Sequence, residues 1–168
     1  MRYKFFDCDA VDSHIEYNIV GQDYQTLIAL CARYCSSFSV IVKRTDTDLI
    51  AQMEPFRIPR PDNTTHCYPY MRPDGSGHYV RMTDEELGVR FYRMCPELCR
   101  ILLTGTQGIF EWIHDWGYRN PEDPSFYRED GSVFFTSVIH EGVLTLFPRE
   151  SEDVSALLSI RKWIRFED

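Results

Sequence analysis

The run VFFTSVIHEGVLTLF, residues 133–147, decides the fold class. It is rich in β-branched and aromatic residues and reads as two strands joined around Glu141-Gly142. So short a connection can only join antiparallel strands. The first of the two is apolar on both faces, which places it inside a sheet and not at its edge. The chain is therefore built around an antiparallel or mixed sheet.

Upstream, YRNPEDPSFYREDGS (118–132) carries two prolines and a glycine and reads as a turn-rich loop. Downstream, Ser151 can cap a helix over EDVSALLSI (152–160), and KWIRF (162–166) reads as a final strand. At the other end, RYKFFDC (2–8) and SHIEYNIV (13–20) read as strands of a hairpin. Asp23 can cap a helix over 24–35 whose buried stripe is Tyr24, Leu27, Ile28, Cys31, Tyr34 and Cys35. FSVIVK (38–43) follows as a strand, and TDTDLIAQMEPF (45–56) as a short helix stopped ahead of Pro55.

Residues 57–82 hold four prolines and two glycines and read as an irregular excursion ending in a hairpin around RPDGSG. Thr83 with Glu86 three residues on is a capping box, so a helix is expected from here, divided or kinked at Pro96. TQGIFEWIHDWG (106–117) is a third helical stretch, striped by Ile109, Trp112, Ile113 and Trp116. Strand, strand, helix, strand, then helices and a hairpin is not the alternation of a doubly wound fold. The order predicts one α+β domain over 1–168, with helices packed against the sheet.

The 168 residues carry 26 acids against 18 bases, a net charge of −8. Most of the excess lies in 111–168, with twelve acids and six bases. An acidic surface repels phosphate backbones and anionic membranes, so neither nucleic acid nor membrane is an expected direct partner. A protein with a basic surface is. The opening MRYKFFDCDA breaks its apolar run with charge, unlike a signal peptide, so a cytoplasmic location and reduced thiols are expected.

Cys31 with Cys35, and Cys95 with Cys99, each place two thiols one helical turn apart; zinc ligands more often sit two apart on turns, and no metal or cofactor is expected. No GxSxG, HExxH, Walker or dinucleotide signature is present. Of the five histidines, His140 beside Glu141 is the most suggestive. Adjacent strand residues face opposite ways, so the two would need a bulge to act together.

Two candidate surfaces remain. Glu122, Asp123, Glu129 and Asp130 surround Phe126 and Tyr127 in the 118–132 loop, and Glu141 can approach them. Acid interleaved with exposed aromatics suits a basic protein partner, with charge for steering and Tyr127 as an apolar anchor. Alternatively Arg57, Arg60, Arg72 and Arg81, with Tyr70, could hold a nucleotide-like anion. The leading expectation is a small binding domain, of inhibitor, immunity or counter-defence type, that covers a macromolecular partner without catalysis.

Two stretches carry resemblances. YKFFDCDAVDS (3–13) resembles the first motif of the haloacid-dehalogenase-like phosphatases. That resemblance implies Asp7 as nucleophile, Asp9 as acid/base and a parallel Rossmann-like sheet. No GDD or GDxxxD follows it, and Asp7, Asp9 and Asp12 read more simply as the polar turn of a hairpin. Residues 120–150 are similar to small uncharacterised proteins of bacteria and mobile elements, a resemblance that carries no catalytic residue.

Overall fold

Four aromatic rings stand in register across four neighbouring strands and hold the centre of the fold. In the computed structural model these strands are β6 (Val89–Arg93), β2 (Ser37–Ile41), β7 (Glu122–Tyr127) and β8 (Val133–Val138). Tyr92 pairs with Phe38, Phe38 with Phe126, and Phe126 with Phe135. Ring centroids along this row are 5.3, 5.4 and 6.2 Å apart. Trp112 meets Phe38 edge-on at 6.4 Å. Each such ring pair contributes about 0.5–1.5 kcal/mol beyond its area burial.

The structure describes residues 2–6, 18–43, 47–64, 70–113, 120–160 and 164–166. Four further strands complete the sheet: β1 (Arg2–Phe6), β3 (Arg57–Ile58), β9 (Val143–Leu146) and β10 (Ile164–Phe166). The order is β10-β1-β9-β8-β7-β2-β6-β3, and every pairing is antiparallel. A separate hairpin joins β4 (Met71–Pro73) to β5 (Tyr79–Arg81). Helices α1 (Gly21–Tyr34), α2 (Asp48–Met53), α4 (Pro96–Gly105) and α5 (Ser155–Leu158), with the single turn α3 (Asp84–Leu87), complete the α+β architecture. Among the described residues no helix is long and apolar enough to cross a membrane.

Helix α1 buries Tyr24, Leu27, Ile28 and Cys31 against β8, α4 and α5. Its Tyr24 hydroxyl receives the Trp112 indole N–H at 2.9 Å and lies 2.7 Å from the Thr106 hydroxyl. Burial pushes the Cys31 thiol well up, so it packs as a small apolar group. Cys35 is buried as well, while Cys95 and Cys99 are half-buried free thiols. Cys8, Cys67 and the histidines at 14, 66 and 114 lie outside the described residues.

Several expectations are corrected here. The residue after α3, Gly88, adopts φ +70°, and a Cβ there would lie 2.6 Å from the Val42 carbonyl oxygen. The helix begun by the capping box therefore stops after one turn, and VRFYR becomes strand β6. Residues 106–113 form only a short 3-10 turn over Ile109–Glu111; Gly108 instead bridges to Val20. The neighbours of β1 are β9 and β10. The rest of the hairpin expected for 2–20 lies outside the described residues up to 17, as do Asp7 and Asp9. An antiparallel β1 contradicts the parallel sheet implied by the phosphatase resemblance.

At the far end of β7, Arg128 is buried with every guanidinium N–H in use. It donates to both Glu152 carboxylate oxygens (2.6 and 2.7 Å), the Val133 and Phe147 carbonyls (2.6 and 2.7 Å) and the Ser132 hydroxyl (3.2 Å). Burial alone would raise the Glu152 carboxyl, but the bonds from Arg128 and the Arg149 amide outweigh it and hold it below the usual value. A depressed carboxyl stabilises the fold above its unfolded pKa, and this contribution is lost as pH falls through the folded value. Arg128→Ala should cost about 3–5 kcal/mol, because it strands a buried carboxylate. Pairing it with Glu152→Leu should recover much of that loss in urea denaturation. A double variant no more stable than the single one would show that the pair is not the reason for the loss.

Candidate functional site

The site follows from a bulge. Ser39 of β2 pairs with Ser125 of β7, but two residues on, Ile41 pairs with Glu122, so β7 carries one extra residue. Asp123 takes up the excess at φ +54°, a conformation open to few side chains beyond Gly, Asn and Asp. Pro124 follows, where a missing N–H costs no ladder bond. The bulge is what lets two prolines, at 121 and 124, flank or enter an interior strand.

The Asp123 carboxylate is buried and turned back on the chain. Oδ1 accepts the Ile139 amide at 2.7 Å, and Oδ2 accepts the Tyr70 hydroxyl at 2.5 Å. His140 Nδ1 lies 3.7 Å from Oδ2. Burial raises the Asp123 carboxyl, against the opposing pull of Tyr70, the Ile139 amide and His140. Burial and the Asp123 charge push Tyr70 far up, so the shared proton stays on the phenol. Beside them, Lys43 Nζ sits 2.8 Å from Glu122 Oε2. Around these groups is a cavity of about 530 Å³, walled by Ile41, Met82, Leu87 and Ile113. Tyr70 and Met82, which close the base of the β4–β5 hairpin, are both part of its lining.

The expected acidic loop is divided by this geometry. Glu122, Asp123 and Tyr127 belong to buried β7, with 6, 5 and 1% of their surfaces exposed. Tyr127 packs on Phe91 at 5.8 Å and its hydroxyl lies 3.1 Å from that of Ser39, so it is core and not an exposed anchor. Glu129 and Asp130 are exposed in the β7–β8 turn at the opposite end of the strand, where Asp130 pairs with Arg149. Glu141 is exposed next to His140, whose Nε2 lies 4.0 Å from a Glu141 oxygen. The β8–β9 link is a 3-10 turn, so the two side chains can approach as a flat strand would forbid.

The arginine set is likewise engaged. Arg57 bonds Glu54 at 2.8 Å, Arg60 bonds Asp84 at 2.5 Å, and Arg72 grips a Glu86 oxygen at 2.7 and 3.0 Å. Hydrogen bonds from Thr83 and then Arg72 bring the Glu86 carboxyl down to about 2. Arg81 is exposed on β5 and does not line the cavity, which leaves an anion site unsupported. Of Arg57, Arg60, Tyr70, Arg72 and Arg81, only Tyr70 lines the cavity. Lys43 and the apolar walls were not singled out from sequence.

Chemically, the cavity offers carboxylates, a phenol and an imidazole to a ligand with an apolar stem and a hydrogen-bond-donating head. Among the described residues no Ser, Thr or Cys lines it to act as a nucleophile beside His140. No three His, Cys, Asp or Glu side chains among the described residues group as metal ligands. No family model, curated protein or solved structure matches the chain.

Tyr70→Phe removes a hydrogen bond to a buried carboxylate and should cost about 1.5–3 kcal/mol. For Asp123, the raised carboxyl means that folding favours the protonated form, so its contribution is present at low pH and lost as pH rises. Asp123→Asn should therefore gain stability relative to wild type between pH 4 and pH 7. A difference that stays flat in denaturant titrations across that range would mean that the carboxylate carries no burial penalty.

Proposed function

We propose that this chain is a protein-binding domain of the cell interior, one that neutralises a basic partner by covering it. The observation that carries this reading is the β4–β5 hairpin. Four large hydrophobic side chains stand exposed among the described residues, and three of them, Met71, Tyr79 and Val80, are on it at 47, 68 and 37%. Exposed aromatic and apolar groups concentrated on one projecting element are typical of a contact surface.

The hairpin is also held in one shape before any partner arrives. At its tip, Asp74 Oδ1 accepts the Ser76 and His78 amides and the Ser76 hydroxyl, at 2.8, 3.3 and 2.7 Å. At its base, the Met82 amide donates to the Tyr70 carbonyl at 2.8 Å, and Arg72 fastens it to α3 through Glu86. Pre-ordering of this kind lowers the entropic cost of association. The net charge of −8 and the Glu86 and Glu122 carboxylates in the cavity at the hairpin's base favour a basic partner.

The test is affinity capture from cells with wild type and with Tyr79→Ser/Val80→Ser. Both residues are exposed, so each change should move stability by no more than about 0.5 kcal/mol. A basic protein retained by wild type should be lost by the variant and should elute as salt rises. Equal retention by both forms would remove the hairpin from the interface.

A further inference from the structure

The cavity at the base of the hairpin already holds a cation supplied by the chain itself. Lys43 stretches from the end of β2 with its side chain 56% exposed and lays its ammonium on a Glu122 carboxylate that is only 8% exposed. An exposed stem and a buried acceptor make an uneven pair. The lysine head can swing into water, whereas the carboxylate cannot follow it. Arginine, with a flat head of five donors, is better matched to several acceptors at once than a point-charge ammonium.

We propose that the cavity receives one arginine side chain of the partner, its guanidinium displacing Lys43 from Glu122. This rests on the protein-binding reading above and adds to it the chemistry of the central contact. The aliphatic stem would lie against Ile41, Met82, Leu87 and Ile113, the cavity's apolar walls. The head meets Glu122, while the Tyr70 oxygen and the His140 ring supply further acceptors around it. The volume of about 530 Å³ exceeds what one arginine fills, which leaves room for the backbone that carries it. Lys43 then works as a stopper: it keeps Glu122 neutralised in the free protein and is released to solvent on binding.

The probe is the capped tripeptide acetyl-Gly-Arg-Gly-amide, set against the same peptide with citrulline, which has the shape of arginine without its charge. Binding is followed in amide NMR spectra at Tyr70, Glu122 and His140. The arginine peptide should shift these resonances saturably and the citrulline peptide should not. Glu122→Gln should weaken the arginine peptide by about tenfold or more, the scale of one lost charge-assisted hydrogen bond. Lys43→Met should strengthen it, because the competing cation is gone, and this variant leaves the buried carboxylate in place should Glu122→Gln fold poorly. Equal binding of the two peptides, or a weaker interaction in Lys43→Met, overturns the proposal. A partner still captured through Tyr79 and Val80 by a chain with Glu122→Gln would sink the arginine pocket while leaving the protein-binding reading intact.

Discussion

The alignment of Tyr92, Phe38, Phe126 and Phe135, one ring on each of four strands, is the constraint on which the rest of the structure hangs. A strand alternates its side chains, so fixing these rings on the helix-covered face fixes every neighbour on the other. Ser39, Ser125, Thr136 and Thr145 fall in register there as a row of buried hydroxyls. The Ser125 and Thr136 oxygens are 2.6 Å apart, which satisfies a polar pair that would otherwise be costly to bury. Tyr127 is carried to that face too, and this is why it cannot be an exposed anchor.

The same register leaves β7 one residue too long at its start, and the bulge at Asp123 absorbs it. Without the bulge the strand would continue in pleat, and the Asp123 carboxylate would not meet both the Ile139 amide and Tyr70. The polar cluster is thus a by-product of sheet geometry that the hairpin base then uses. Arg128 plays the complementary part at the other end of β7. There five donors gather two carbonyls, a hydroxyl and a carboxylate from the start of β8 and from the chain that follows β9.

Elements with strong periodicity or end signals were legible in the sequence. The stripe of α1, the β8–β9 hairpin, Pro96 at the head of α4 and the turn at RPDGSG are all where the residues place them. Errors arose where one local signal was overridden by a contact distant in sequence. The capping box at Thr83 is real, yet the close approach of Gly88 to Val42 ends the helix at once. Strand β7 was hidden by its prolines and acids, which read as a loop to any rule that cannot see the bulge. The site was half legible for the same reason: Glu122, Asp123 and Tyr70 were noticed in two different surfaces. Only the folded chain brings them together, because Tyr70 and Asp123 are 53 positions apart.

The place of β1 has a temporal side. Arg2–Phe6 is synthesised long before the strands on either side of it, Val143–Leu146 and Ile164–Phe166. During translation this segment must wait for both of them before it can take its place in the sheet. Loop closure over such a span makes pairing late and slow. The inner strands can assemble beforehand around the aromatic row, so the nascent chain would carry a finished centre and an open flank. For that interval the outer edge of β8 is bare, a template for pairing with the wrong strand that chaperone attendance would cover.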